Sequence, residues 1–363
     1  LGLGSQIAAH ITRRYSMAWS APAPRMREFV AAVRAIWQSW DTGERLDFRA
    51  PLTEGTVPVE GYEPGPLENK AVPISLPGGG GNAEWTHRGG NAQHSLPNPG
   101  VGASLTGGWT ANIGAGDSRK NRITADPVVA GGRIYAMDAQ AHVTATSTGG
   151  ATLWAADLTP SADRAGDASG GGLAYADGRL YATTGFGELV AMDAATGAVV
   201  WPQQFDAAVG GAPAVSAGHV FVVARDASAW AMRASDGKVA WTIPGAPAAA
   251  GVMGVSAPAS DGTTAVFPFA GGQMTAADVA TGEGRWTSFV AGSRLGRAFA
   301  SVADLTGDPV IAGGTVYAGS AAGRLAAVDL ASGQRLWAAD EGAVSPVAVA
   351  GGAVFLVSDE ARL

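Results

Sequence analysis

Five histidines, His10, His87, His94, His142 and His219, are the first residues to weigh for chemistry, because imidazole is both a common metal ligand and a proton carrier near neutral pH. His87 and His94 stand seven apart with acidic residues nearby, which could begin a metal site. A zinc centre takes three or four protein ligands, and no third ligand follows at a fixed spacing, so the pair reads as polar loop histidines. The chain has no cysteine, which excludes disulfides, thiolate metal ligands and thiol catalysis. Gly78 to Gly81 is glycine-rich, but no Lys-Ser/Thr pair follows to hold a phosphate. Gly185-Phe-Gly187 lies between strands rather than ahead of a helix, so it fails the dinucleotide context, and no Gly-x-Ser-x-Gly elbow occurs. The residues themselves point to no catalytic group, no cofactor-binding residue and no metal.

Composition narrows the class further. Among 363 residues there are 53 glycines and only 15% charged side chains, a mixture suited to many short strands joined by tight turns. A formal net charge of -7 argues against nucleic acid, which needs a basic footprint, and against anionic lipid surfaces. No stretch approaches the roughly 20 apolar residues of a transmembrane helix. The chain opens on Leu1 without a basic segment and apolar run, so an export signal is expected to be absent.

Three zones follow one another. Residues 1–49 contain an expected helix from about Pro24 to Trp40, where Met26, Phe29, Val30, Val33, Ile36, Trp37 and Trp40 fall on one face. Residues 50–84 are rich in Pro and Gly and read as an extended linker. From about Trp85 to Leu363 the pattern repeats. Tryptophans stand at 109, 154, 201, 241, 286 and 337, at intervals of 40 to 51 residues. Turns of one kind precede four of them, as in Asp193-Ala-Ala-Thr196-Gly197-Ala-Val-Val-Trp201 and Asp329-Leu-Ala-Ser332-Gly333-Gln-Arg-Leu-Trp337. Ahead of the turns come hairpins of the form Pro-Val-x-x-x-Gly-x-x-Tyr/Phe, whose pairs at 131–132, 177–178, 217–218, 313–314 and 351–352 suit two-residue turns. A four-stranded sheet of this kind cannot bury both faces alone, but radial stacking of several can. The expected fold is all-β: a β-propeller whose Trp, Asp and Gly residues hold the blades together. Five units carry a Trp-ended turn, and a sixth starts at Pro346.

Asn82-Ala-Glu-Trp85-Thr-His-Arg-Gly-Gly-Asn91-Ala-Gln-His94, Ser118 to Pro127, Asp167-Ala-Ser-Gly-Gly-Gly172 and Thr183-Thr-Gly-Phe-Gly187 together resemble the BamB proteins of alphaproteobacteria. That family is a quinoprotein-like propeller of eight blades, so this chain would hold about five to six of eight and be truncated at its C-terminus. The resemblance implies a non-enzymatic accessory subunit that assists assembly and insertion of outer-membrane β-barrel proteins by binding the barrel-inserting subunit. Nascent β-barrel strands would be further partners. It also implies a periplasmic location at the inner face of the outer membrane, although the family's lipid-anchor cysteine is absent. Carried over by motif, the docking loops fall at Gly251 to Pro258 and Arg297 to Asp304. Val252 and Met253 would be the apolar anchor, while Arg297 and Asp304 would set orientation by charge.

Two other resemblances bear on activity. The repeat is shared with pyrroloquinoline quinone-dependent dehydrogenases, whose vicinal Cys-Cys cannot exist here and whose acidic calcium cluster no repeat displays. Leu1-Gly-Leu-Gly-Ser-Gln6, His10 to Ser20 and Ala23 to Phe29 resemble luciferase-like flavin- or deazaflavin-dependent oxidoreductases. One strand and one helix of a (β/α)8 barrel could not assemble a site that needs loops from several strands. Residues 1–49 are therefore expected to be an inactive fragment fused to the propeller.

Overall fold

A computed structural model of the chain describes residues 82–96, 108–245, 256–290, 305–320, 323–343 and 345–358, all of which belong to one unit, Pro73–Leu363. The expected N-terminal helix and most of the expected linker lie outside the described residues.

Six consecutive antiparallel sheets occur among the described residues. The first contains β1 (Val128–Ala130), β2 (Arg133–Met137), β3 (His142–Ser147) and β4 (Thr152–Asp157). The second contains β5 (Gly171–Ala176), β6 (Arg179–Thr184), β7 (Glu188–Asp193) and β8 (Val199–Gln204). The third contains β9 (Ala214–Ser216), β10 (His219–Val223), β11 (Ser228–Arg233) and β12 (Val239–Pro244). In the fourth stand β13 (Ala259–Ser260), β14 (Thr264–Pro268), β15 (Gln273–Asp278) and β16 (Gly284–Phe289). The fifth holds β17 (Val310–Ala312), β18 (Thr315–Ser320), β19 (Arg324–Asp329) and β20 (Arg335–Ala339), and the sixth, among the described residues, β21 (Ala348–Ala350) and β22 (Ala353–Phe355). Within each sheet the strands pair in chain order. The first strands β1, β5, β9, β13 and β17 neighbour one another from sheet to sheet, so they are the innermost strands of a β-propeller.

Local chemistry explains the hairpins. Ala130 pairs with Arg133 and Ala312 with Thr315, leaving two-residue turns whose members all have positive φ: Gly131 and Gly132, Asp177 and Gly178, Ala217 and Gly218, Gly313 and Gly314, Gly351 and Gly352. Two left-handed residues match the right-handed twist of the flanking strands. The second and third strands of the complete blades are largely covered on both faces, which is why β14 is buried throughout and why β3, β7, β11, β15 and β19 each carry one or two alanines despite alanine's poor strand propensity. Small side chains let neighbouring sheets approach.

Trp154, Trp201, Trp241, Trp286 and Trp337 each sit inside the fourth strand of a blade, two to three residues before its end, whereas Trp109 lies outside the strands. In every complete blade the indole stands opposite an alanine: Ala145–Trp154, Ala191–Trp201, Ala231–Trp241, Ala276–Trp286 and Ala327–Trp337. A register shift adjoins each pair, the mark of a β-bulge. There the indole N–H donates to a carbonyl of the following blade: Trp154 to Ala194, Trp201 to Ala234, Trp241 to Val279 and Trp286 to Leu330. Trp109 does the same to Thr148. The hydroxyl of Tyr135 shares the Ala194 carbonyl at 3.0 Å and is fully buried. Tyr135→Phe is expected to cost about 1 kcal/mol, read as a lowered urea midpoint; an unchanged midpoint would refute a stabilising role for that bond.

Asp193, Asp278 and Asp329 cap their turns as the repeat implies. Asp193 Oδ1 accepts from the Ala195 and Thr196 amides and the Thr196 hydroxyl, and Asp278 and Asp329 repeat the arrangement. In the third blade Arg233 replaces the aspartate and is tied instead to Asp236 at 2.6 Å.

Candidate functional site

The innermost strands turn one edge toward the propeller axis, where an unpaired N–H would be left without a partner. Residues 85–94 occupy that position. Val129 N–H donates to Trp85 O at 2.7 Å, Tyr175 N–H to Thr86 O at 2.8 Å, Ser260 N–H to Ala92 O at 2.7 Å and Ile311 N–H to Gln93 O at 2.9 Å. The third blade is met by a side chain, with Val215 N–H donating to His87 Nε2 at 3.0 Å. One short segment thus takes one N–H from the inner strand of each of five blades. Gly89 and Gly90, both at positive φ, fold the segment back on itself through the Gly90 N–H to His87 O bond.

Arg88 clasps the segment in place. Its Nε lies 2.9 Å from Asp126 Oδ2 and 3.2 Å from Asp308 Oδ2, the first carboxylate just ahead of β1 and the second just ahead of β17. Asp308 has a fully buried side chain, and its Oδ1 accepts the Ala257 N–H at 2.7 Å. A buried carboxylate needs such partners to remain charged.

The site residues expected from the docking motif, Val252, Met253, Arg297 and Asp304, lie outside the described residues. Their anchors are within them. Ser256 and Ala257 belong to the last residues of the first loop, and Leu305 directly follows the second. Ser256 Oγ donates to Leu305 O, and Ala257 and Asp308 are joined by the bond above. Both stretches therefore adjoin one hydrogen-bonded junction between the fourth and fifth blades, to which Arg88 ties the axial segment.

His87 and His94 are not loop histidines in solvent. Both are buried. Burial, with His94 beside it, lowers His87 to about 3, and burial likewise lowers His94. His94 Nδ1 lies 2.8 Å from the Pro309 carbonyl. His142 stands between Asp138 and Asp157, at 3.3 and 3.4 Å. No group of three or more potential metal ligands occurs among the described residues. Arg88, Asp126 and Asp308 escaped sequence reasoning, although a signal was present: Asp126-Pro-Val128 and Asp308-Pro-Val310 place an acid at one repeat position, where the third blade has Ala212-Pro213.

The innermost strands, four-stranded blades and Trp–Gly joints define a quinoprotein-like β-propeller built from PQQ-like repeats. Residues 139–363 match the family described as outer membrane protein assembly factor BamB. The chain belongs to that family. Similar sequences include BamB of Moranella endobia, 27% identical over 70% of this chain and 66% of its own length, and BamB of Alteromonas naphthalenivorans, 29% identical over 69% and 62%. An uncharacterized protein of Mycobacterium tuberculosis is 48% identical over 66 residues, 18% of this chain and 19% of that protein. The chain thus spans a fifth of the mycobacterial relative and somewhat under two thirds of these BamB proteins. Among solved structures, BamB from Moraxella catarrhalis superposes with a TM-score of 0.56 at 21% identity, covering 64% of this chain and 69% of that one. Quinohemoprotein alcohol dehydrogenase from Comamonas testosteroni superposes equally well, at 0.56 and 19% identity, over 71% and 49%. At these identities both likenesses show the fold alone. No helix among the described residues is long and apolar enough to cross a membrane.

Proposed function

We propose that this chain is a non-enzymatic accessory subunit of outer-membrane β-barrel assembly, acting in the periplasm by binding the barrel-inserting subunit through the loops that carry Val252, Met253, Arg297 and Asp304. Membership of the BamB family over residues 139–363 supports the assembly role. The observation that favours these loops as one surface is the junction of Ser256 with Leu305 and of Ala257 with Asp308, which brings the end of the first loop against the stretch that follows the second. An apolar pair flanked by charges of both signs has the make-up of a small binding hot spot. Filling of the inner edges by residues 85–94 favours a scaffold over the dehydrogenase reading. Residues 1–49 are taken as a luciferase-like fragment without activity.

Binding of the purified chain to the periplasmic domains of the barrel-inserting subunit, measured by calorimetry, tests this. Met253→Asp is expected to weaken binding about tenfold or more, and Arg297→Glu to weaken it and flatten its salt dependence. No binding by the parent chain, or unchanged binding by both variants, would overturn the assignment.

A further inference from the structure

We propose that residues 85–94 form an acid-releasable plug of the propeller axis, seated while His87 and His94 are neutral and withdrawn when they take up protons. The inference goes beyond the docking function and does not depend on it.

The hydrogen bonds dictate the protonation state the seated segment requires. Val215 N–H can donate to His87 Nε2 only if that nitrogen carries no proton. The proton is then on Nδ1, 2.9 Å from the Thr86 hydroxyl. His94 Nδ1 faces a carbonyl, a pure acceptor, so Nδ1 holds the proton there. Its Nε2 is buried without a hydrogen-bond partner. A second proton on His87 would set one N–H against another, break the bond to the third blade and leave the Val215 amide unsatisfied. A second proton on His94 would bury a cation whose new N–H has no acceptor.

The charged groups around the pair decide whether such cations could be tolerated. Arg88, on the same segment, opposes protonation of His94, and Asp308, ahead of β17, favours it. Asp308 is already engaged by Arg88 and the Ala257 amide. Asp126, ahead of β1, is likewise held by Arg88. β9 meets His87 through the Val215 backbone amide. Burial outweighs the carboxylate at His94 and is the largest influence on both rings.

Because the seated forms resist protons, the seated state has its full advantage above the ordinary histidine value of 6.5. That advantage is lost as pH falls from there toward about 3 at His87. Between pH 7.5 and 5 the ratio of withdrawn to seated segment should rise about 30-fold from His87 alone, and further from His94. Withdrawal bares the Val129, Tyr175, Val215, Ser260 and Ile311 amides.

Hydrogen–deuterium exchange of the full chain, corrected for the intrinsic rate at each pH, reads the device directly. Protection of residues 85–94 and of those five amides is expected to fall at least about tenfold from pH 7.5 to 5, while the middle strands β6, β7 and β11 keep theirs. In a His87→Gln, His94→Asn double variant the loss should disappear. Glutamine can accept from Val215, and asparagine can donate to Pro309 and tolerates the left-handed backbone of His94, at φ 56. Equal protection at both pH values, or equal loss in plug and middle strands, overturns the proposal in the parent chain even if the variant fails to fold. Persistence of a local loss in a folded double variant overturns it as well.

Discussion

Arg88→Met should destabilise the propeller by about 3–5 kcal/mol, the largest single effect expected outside the hydrophobic core. The guanidinium joins Asp126 of the first blade to Asp308 of the fifth, so its loss leaves a fully buried carboxylate with one backbone amide as partner. The Arg88 side chain is about a quarter exposed, and solvent screening places the value toward the lower end. Equilibrium urea unfolding measures the change. Adding Asp308→Asn should restore much of it, because the amide oxygen can still accept from Ala257 while the buried charge is gone. A loss below about 1 kcal/mol, or no recovery in the double variant, would show that the clasp contributes little.

The second large effect belongs to the joints between blades. Gly237 has φ 72, and a Cβ there would meet Trp201 Cε3 at 2.5 Å. The same collision awaits at Gly197 with Trp154, Gly282 with Trp241 and Gly333 with Trp286. Gly237→Ala therefore combines left-handed strain of about 1–2 kcal/mol with overpacking of about 1–3 kcal/mol, roughly 3 kcal/mol together. Gly178 supplies the comparison, with φ 77 and nothing within 4 Å of the added carbon, so Gly178→Ala should show the strain alone. The difference between the two variants in thermal or urea unfolding isolates the indole contact. Equal losses at both positions would mean that the Trp–Gly joint is loose.

These joints also show why the repeat was readable. The turn glycine and the tryptophan recur along the chain, yet Trp154, Trp201, Trp241 and Trp286 each meet the glycine of the following blade rather than their own. Copies of the motif announce the contact, because every blade offers the same socket to the one before it. The alanine opposite each indole belongs to the same repeating logic, since strand pairing is local and turn length sets its register.

Nothing in the repeat announces the axial segment. Trp85 to His94 lies about 220 residues from Asp308, and most of its bonds run between backbone groups, which carry no residue signature. His87 and His94 read as polar loop histidines because histidine is compatible with an exposed or a buried setting; burial against the ring decided between the two and fixed their tautomers. The paired Asp-Pro-Val motifs were visible, but only the closed approach of the first and fifth blades to one guanidinium gave them a meaning. By itself the chain's periodicity determined the strands, turns and blade joints, since these depend on side chains repeated at short range. The tertiary structure alone decided what fills the axis, because edges from five separate blades converge there and the partner for each is chosen by geometry.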